Sequence, residues 1–220
     1  MKKAEIRARI EEIGIIPAVR VSSPEEAQFA AAAVNRGGIP VAEIPMTVPD
    51  AGEVIARLVQ EFPRMIIGAG TVLDVDTARR CLDAGAHFLT STGLVLEVVE
   101  FAAKKGVAVF PGALTPTEII TAWKAGADMV KVFPCSAVGN ENYIRTLKAP
   151  FPHIPLVASG GVNQQTALKF LLAGASALGI GTELIPKDSL ELRQEHRIHE
   201  LALRFTKMVK EAHNRRPPRH

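Results

Sequence analysis

The sequence predicts an α/β protein built as a closed (β/α)8 barrel, the TIM barrel, with an extra N-terminal helix and a long C-terminal helix. Amphipathic segments such as 25–36 and 77–84 separate short apolar ones, and several end at a glycine, the usual C-cap signal. Eight predicted strands begin, 20 to 26 residues apart, near Ile15, Val41, Met65, His87, Val107, Met129, Pro155 and Ala177. This even spacing, without a linker, favours a closed barrel over an open doubly wound sheet.

The two terminal helices lie outside this repeat. The first is predicted over residues 2–12. The last is predicted over 189–212, with an apolar stripe for barrel packing or an oligomer contact. The stripe consists of Ile198, Leu201, Phe205 and Met208. Residues 1–212 are thus expected to form one domain, and residues 213–220 a basic, disordered tail.

The charge and the cysteine content limit which binding partners and which cellular compartment the sequence favours. The chain has 26 Lys and Arg against 23 Asp and Glu, and the tail alone carries three arginines. The globular part is therefore neutral, which argues against a nucleic-acid surface. Two cysteines without metal-type spacing are typical of a reduced, intracellular protein. With no signal peptide or membrane-spanning apolar run, the sequence predicts a cytoplasmic protein without a membrane partner.

Lys131 is the strongest candidate for a catalytic residue. It lies in the apolar segment 129–134 with a valine on either side. In a parallel barrel such a strand is buried on both faces, where an ammonium group is costly unless it is paired. A neutral buried amine attacks carbonyl groups, which is the first step of Schiff-base chemistry.

Glu43 lies in a similar apolar segment, 41–46. Apart from Arg20 on the first predicted strand, no other charged residue falls within the strand bodies. Glu43 and Lys131 belong to strands two and six, and inward residues of even-numbered strands share layers inside a barrel. A purely structural ion pair is the alternative, but such pairs stabilise proteins weakly. We therefore expect the two side chains to meet at a catalytic centre.

Glycine-rich segments end three of the predicted strands, at 68–71, 159–161 and 179–182. The last two follow strands seven and eight, where barrels commonly bind phosphate through backbone N–H groups. Glycine lets the backbone approach such an anion closely. The sequence thus predicts a phosphate site at these two strand ends.

Several of these motifs occur together in one order between residues 15 and 186. They are Ala18-Val19-Arg20, Glu43-Ile44 with Thr47-Val48-Pro49-Asp50, Gly68-Ala69-Gly70-Thr71-Val72, Pro111-Gly112, Thr115-Pro116-Thr117-Glu118, Lys131-Val132-Phe133-Pro134, Gly160-Gly161-Val162 and Gly181-Thr182. In this order they resemble the 2-keto-3-deoxy-6-phosphogluconate aldolase family, class I aldolases of the Entner–Doudoroff pathway.

The resemblance implies a role for each matching residue. Lys131 would form the Schiff base, and Glu43 would act as general acid and base, working through a water. The other substrate-binding residues would be Arg20 at the carboxylate, Thr71 and Phe133 around the pyruvyl end, and Ser159, Gly160, Gly161, Gly181 and Thr182 around the phosphate. Thr47 would also bind the substrate. The family also implies a homotrimer that binds a phosphorylated 2-keto acid and pyruvate, with no metal and no cofactor.

The resemblance leaves the substrate open. Proline after Glu43-Ile44 resembles the phosphogalactonate branch of the family, whereas Thr47-Val48-Pro49-Asp50 resembles the phosphogluconate branch. Cleavage of 4-hydroxy-2-oxoglutarate is a further alternative. A phosphate-binding barrel isomerase or epimerase would share the glycine-rich strand ends, and a non-catalytic barrel would bind a sugar phosphate without turnover. Neither of these needs a buried lysine.

Overall fold

The computed structural model describes residues 1–215 as a parallel barrel surrounded by helices. The strands are β1 Ile15–Pro17, β2 Val41–Pro45, β3 Ile66–Gly70, β4 Phe88–Thr90, β5 Ala108–Phe110, β6 Gly112–Ala113, β7 Val130–Val132, β8 Leu156–Ser159 and β9 Ala177–Ile180. The helices are α1 Lys3–Ile13, α2 Pro24–Arg36, α3 Ala51–Glu61, α4 Val75–Asp83, α5 Leu96–Lys105, α6 Pro116–Lys124, α7 Glu141–Lys148, α8 Ala167–Leu172, α9 Lys187–Glu191 and α10 Glu195–Arg215. The predicted barrel is confirmed, and each predicted strand starts within one residue of an observed one.

The barrel closes through two parallel sheets, one in the order β1-β9-β8-β7-β6 and the other β2-β3-β4-β5. A bridge between Ala18 and Glu43 joins them at one seam. At the other seam Pro111 divides the fifth barrel strand into β5, which pairs with β4, and β6, which pairs with β7. Proline has no N–H to continue a ladder, but its carbonyl still accepts a hydrogen bond from the backbone N–H of Lys131. Lys131 therefore lies on β7, the sixth strand of the barrel.

Local sequence signals set where the helices begin. Ser23 caps α2 by accepting a hydrogen bond from the backbone N–H of Glu26. At α6, Thr115 and Glu118 form a capping box. Hydrogen bonds from the backbone N–H groups of Thr115 and Leu114 lower the pKa of the Glu118 carboxyl, because they favour its charged form. These caps begin both helices just beyond the carboxyl ends of strands.

The predicted N-terminal helix is present as α1, and it packs beneath the barrel. Ile6 and Ile10 are buried. Lys3 forms a 3.2 Å ion pair with Asp128, which precedes β7. The helix thus covers the end of the barrel at which the strands begin, and the opposite end remains for a site.

The C-terminal segment differs from its prediction as one helix over residues 189–212. It forms two helices, α9 and α10, separated at residues 192–194, where Arg193 adopts a left-handed φ of 51°. This break lets α10 turn and pack its stripe against α2 and α8, with Ile198 and Phe205 buried and Leu201 and Met208 partly buried. Helix α10 includes the first three residues of the predicted tail 213–220, and the other five lie outside the described residues. No helix within residues 1–215 is both long and apolar enough to cross a membrane.

Candidate active site

Lys131 and Glu43 meet inside the barrel, as the sequence predicts. Each residue is only 4% exposed, and the lysine Nζ lies 3.4 Å from both carboxylate oxygens of Glu43. These distances exceed those of a tight ion pair. A buried pair kept only for stability needs close, saturated hydrogen bonding to offset its desolvation. The loose contact therefore favours a catalytic pair over a structural one.

The neighbouring strands hold Glu43 and leave space for its side chain. Its backbone pairs with Gly68 of β3 on one side and with Ala18 on the other. Two residues along β3, a Cβ on Gly70 would lie 2.5 Å from Oε1 of Glu43. The absence of a side chain at Gly70 therefore creates the room that the carboxylate occupies.

Thr90 is a third polar residue of this centre, and the sequence analysis missed it. Its hydroxyl donates a 2.8 Å hydrogen bond to Oε2 of Glu43, and the residue is 2% exposed. Thr90 ends β4, the fourth strand of the barrel. Glu43, Thr90 and Lys131 therefore come from the second, fourth and sixth barrel strands, which are β2, β4 and β7. A search of those strands for any inward polar residue, and not only for charges, would have found it.

A cavity of about 260 Å³ opens at the carboxyl ends of β8 and β9. Seven of the predicted substrate-binding residues line it: Arg20, Phe133, Ser159, Gly160, Gly161, Gly181 and Thr182. Arg20 is exposed and lies three residues beyond the end of β1, so its prediction as part of the strand body was wrong. The chain turns there, since the backbone N–H of Arg20 donates to the carbonyl of Ala18.

The wall of this cavity depends on glycine. Gly160 and Gly161 have φ angles of 80° and 84°, a region that side chains rarely allow. A Cβ on Gly161 would also lie 2.6 Å from the side chain of Ser136. On the next strand, a Cβ on Gly179 would lie 2.7 Å from the Ser159 hydroxyl. The backbone thus forms the cavity surface, a geometry suited to an anion bound by N–H groups.

Two other predicted residues lie outside the lining of this cavity. Thr71 follows β3 and has a φ of 57°, which is a genuine outlier for a β-branched residue. Backbone strain of this kind concentrates at functional sites. Thr47 lies in the turn after β2 and is exposed. The structure therefore brings the glycine-rich residues together with Arg20 and Phe133, while Thr71 directly follows the strand that neighbours Glu43.

The thiol of Cys135 lies near the site but is unreactive. Cys135, two residues after Phe133, is buried, and this burial raises the pKa of its thiol to about 11. A thiol that remains protonated at neutral pH is a poor nucleophile. Within residues 1–215, no group of three or more His, Cys, Asp and Glu residues comes together as a metal site would require.

Comparison with protein families and named relatives agrees with this geometry. The family model described as "KDPG and KHG aldolase" matches residues 6–201. The 2-dehydro-3-deoxy-6-phosphogalactonate aldolase of Escherichia coli K12 is 34% identical over 175 residues, covering 79% of this chain and 85% of that protein. The 2-dehydro-3-deoxy-phosphogluconate aldolase of Treponema pallidum is 31% identical over 181 residues, covering 82% and 86%. A KHG/KDPG aldolase of Escherichia coli K12 is 30% identical, covering 86% and 88%.

Solved structures give the same result. A native KDPGal structure is 32% identical with a TM-score of 0.83, covering 91% of this chain and 96% of that one. A KDPG aldolase from Legionella pneumophila, with pyruvate captured as a covalent carbinolamine intermediate, is 27% identical with a TM-score of 0.84, covering 90% and 96%. A cube-shaped cage designed by fusing symmetric oligomeric domains is 32% identical with a TM-score of 0.84, covering 92% and 74%.

Proposed function

This chain belongs to the KDPG and KHG aldolase family, and we propose that it cleaves 2-keto-3-deoxy-6-phosphogluconate to pyruvate and glyceraldehyde 3-phosphate. It is thus an aldolase, a lyase of carbon–carbon bonds. The observation that carries the proposal is the buried pair of Lys131 and Glu43, together with the glycine-walled cavity that Ala18, the bridge partner of Glu43, helps to line.

We assign the nucleophile to Lys131. In its neutral form Nζ attacks the 2-keto carbon of the substrate, and loss of water from the resulting carbinolamine gives an iminium. The Legionella relative, whose structure holds pyruvate as a carbinolamine, supports this order of events. The carboxylate of Glu43, 3.4 Å away, can take the proton that the ammonium group must lose first. It can then give that proton to the carbinolamine hydroxyl as this group leaves as water, so that Glu43 is a carboxylate again for the next step.

We assign the later proton transfers to Glu43, directly or through a water. Removal of the C4 hydroxyl proton lets the C3–C4 bond break, and its electron pair moves to the iminium, which becomes an enamine. Glyceraldehyde 3-phosphate leaves. Protonation of the enamine at C3 restores an iminium, and water releases pyruvate from Lys131. General acid–base catalysis of this type contributes about 10²–10⁴-fold in rate.

The cavity at β8 and β9 is proposed to hold the phosphate. Its wall of Gly160, Gly161 and Gly181 offers backbone N–H groups at close approach, and Thr182 adds a hydroxyl. Arg20 lines the same cavity and supplies the positive charge that a bound anion requires. We therefore place the phosphorylated end of the substrate here, and Thr71 and Thr47 towards the pyruvyl end. Phe133 lines this cavity and lies two residues from Lys131 in the sequence, so we place it between the two ends.

The preferred sugar epimer can be decided by kinetics. Relatives of this chain are named for the phosphogalactonate, the phosphogluconate and the KHG/KDPG activities. Comparison of kcat/KM for both phosphorylated epimers and for 4-hydroxy-2-oxoglutarate tests the proposal. A larger value for either alternative would replace the phosphogluconate as the main substrate while leaving the imine chemistry in place.

We further propose that the enzyme works as a homotrimer in the cytoplasm. The likeness to a cage built from symmetric oligomeric domains supports an oligomer, and two buried, unpaired cysteines suit a reducing compartment. Light scattering coupled to size-exclusion chromatography tests the trimer. A monomeric mass at micromolar concentration would contradict it.

The decisive experiment traps the imine. The protein is incubated with pyruvate and borohydride, and the modified residue is located by mass spectrometry. Lactate, which has no keto group, and the Lys131→Met variant are the controls. We expect a reduced pyruvyl adduct on Lys131 with pyruvate alone. If wild-type protein with an intact fold gives no adduct, the Schiff-base mechanism is wrong and the phosphate-binding isomerase becomes the better hypothesis.

A further inference from the structure

Thr90 contacts the candidate acid–base residue from a strand that carries no charge. Its Oγ1 donates to Oε2 of Glu43 at 2.8 Å, and both residues are buried. We propose that Thr90 is the positioning residue for Glu43: its hydroxyl holds one carboxylate oxygen so that the other is presented for proton transfer. This inference rests on the function proposed above, in which Glu43 moves protons.

The geometry assigns the orientation of the carboxylate to Thr90 and not to Lys131. Nζ of Lys131 is 3.4 Å from both oxygens and therefore does not distinguish them, whereas the Thr90 hydroxyl contacts Oε2 at 2.8 Å. The terminal torsion of a glutamate is broad and has no strong preference of its own. One short hydrogen bond to one oxygen is therefore what selects the rotation.

The position of the hydroxyl is itself well determined. The backbone carbonyl of Thr90 accepts a 3.0 Å hydrogen bond from the N–H of Val72, and the residue pairs with Phe110 of β5. A β-branched side chain in a strand has few accessible χ1 rotamers. Gly70 leaves room for the carboxylate on the neighbouring strand. The carboxylate thus fills the space beside Gly70 of β3 and is held there by a fixed donor on β4.

A hydroxyl also suits a group that changes its protonation state. While Glu43 is a carboxylate, Thr90 donates to it. When Glu43 holds a proton, the hydroxyl can rotate and accept, because it has both a donor and lone pairs. A buried carboxyl that lost its partner would pay the cost of an unsatisfied polar group. Thr90 can therefore stay hydrogen-bonded through both halves of the proton cycle.

The test separates imine formation from proton transfer. Borohydride trapping of pyruvate reports the imine at Lys131. Exchange of the pyruvate methyl hydrogens in D₂O, followed by NMR, reports proton movement through the enamine. The C–H bond breaks, its electron pair moves to the iminium, and its proton moves to Glu43. Glu43 exchanges this proton with D₂O and returns a deuteron to the carbon. The variant Thr90→Val keeps the shape and removes the hydroxyl. The matched control is Thr121→Val on the outer helix α6, where the hydroxyl bonds the carbonyl of Thr117.

We expect Thr90→Val to lower the exchange rate on the order of tenfold while the trapping rate stays within about twofold of wild type. Thr90→Ser should recover most of the exchange, and Thr121→Val should match wild type in both assays. Wild-type exchange in Thr90→Val, an equal fall in trapping and exchange, or no recovery in Thr90→Ser would each overturn the role.

Folding defects and failure of the main proposal remain distinguishable. If Thr90→Val does not fold, Thr90→Ser and Thr90→Ala repeat the comparison, since both lose the methyl group and differ only in the hydroxyl. Equal exchange in that pair overturns the role. If wild type itself traps no pyruvate, the Schiff-base function fails and the role of Thr90 falls with it. If wild type traps and exchanges but the Thr90 variants behave like it, only the positioning role fails.

Discussion

The carboxylate of Glu43 occupies the space that a side chain on Gly70 would fill. A Cβ at Gly70 would lie 2.5 Å from Oε1 and 2.8 Å from both the carboxylate carbon and Cγ of Glu43. At such distances Glu43 would have to move, and it is buried and held by the Thr90 hydroxyl, so a displaced carboxylate would lose that hydrogen bond. The absence of a side chain at Gly70 therefore determines the position of the Glu43 carboxylate.

Gly70→Ala should consequently displace Glu43 and lower kcat by about 10²-fold, as a misplacement near 1 Å does in other enzymes. Steady-state kinetics beside a thermal unfolding curve measures this. The matched control is Gly52→Ala on helix α3, where an added Cβ meets no atom within 4 Å. Wild-type kcat in Gly70→Ala would show that the site tolerates a different position of the carboxylate.

Glu43→Gln should lower kcat by about 10²–10⁴-fold, because the amide cannot move protons, yet still permit some imine trapping with pyruvate. The amide has nearly the shape of the carboxylate and can still accept from Thr90, but it cannot take up a proton. Stopped-flow cleavage assays and borohydride trapping on the same preparation separate the two steps. Undiminished turnover would contradict the role given to Glu43.

Arg20→Gln should raise KM on the order of 10- to 100-fold for the phosphorylated substrate and little for 4-hydroxy-2-oxoglutarate, which has no phosphate. The reason is that Arg20 lines the glycine-walled cavity. Arg9→Gln, an exposed arginine on α1, is the control. Equal increases in KM for both substrates would place Arg20 at the carboxylate, as the resemblance implies, and not at the phosphate.

Cys81 and Cys135 should resist thiol reagents in the native protein at neutral pH. Burial raises the pKa of each thiol from its ordinary 9.0 to about 11, so both remain protonated. Between these values the folded state binds more protons than the unfolded state, and stability is therefore lost as the pH rises above about 9. The rate at which a thiol reagent labels the two cysteines, compared between buffer and denaturant, measures their protection. Rapid native labelling at pH 8 would contradict it.

Much of the site could be predicted from the sequence because its residues are unusual for their positions in strands. Lys131 and Glu43 are charged residues in apolar strands, and the glycines of residues 159–161 lie at the end of the seventh predicted strand, which is β8 in the structure. Thr90 gives no such signal, because threonine is common in strands. Arg20 was assigned to a strand because the sequence does not show that β1 ends at Pro17.

The sequence by itself determined the barrel, the family and the identity of the buried pair. Periodic apolar segments and glycine caps are local signals, and the family assignment from ordered motifs is confirmed by the match over residues 6–201. The tertiary structure decided which hydroxyl joins that pair: Thr90 contacts the Glu43 carboxylate although the two residues are 47 positions apart in the sequence. That contact exists only once the strands close into a barrel, because closure fixes the register that brings one particular hydroxyl to the carboxylate, and a threonine in a strand gives no local sign of it.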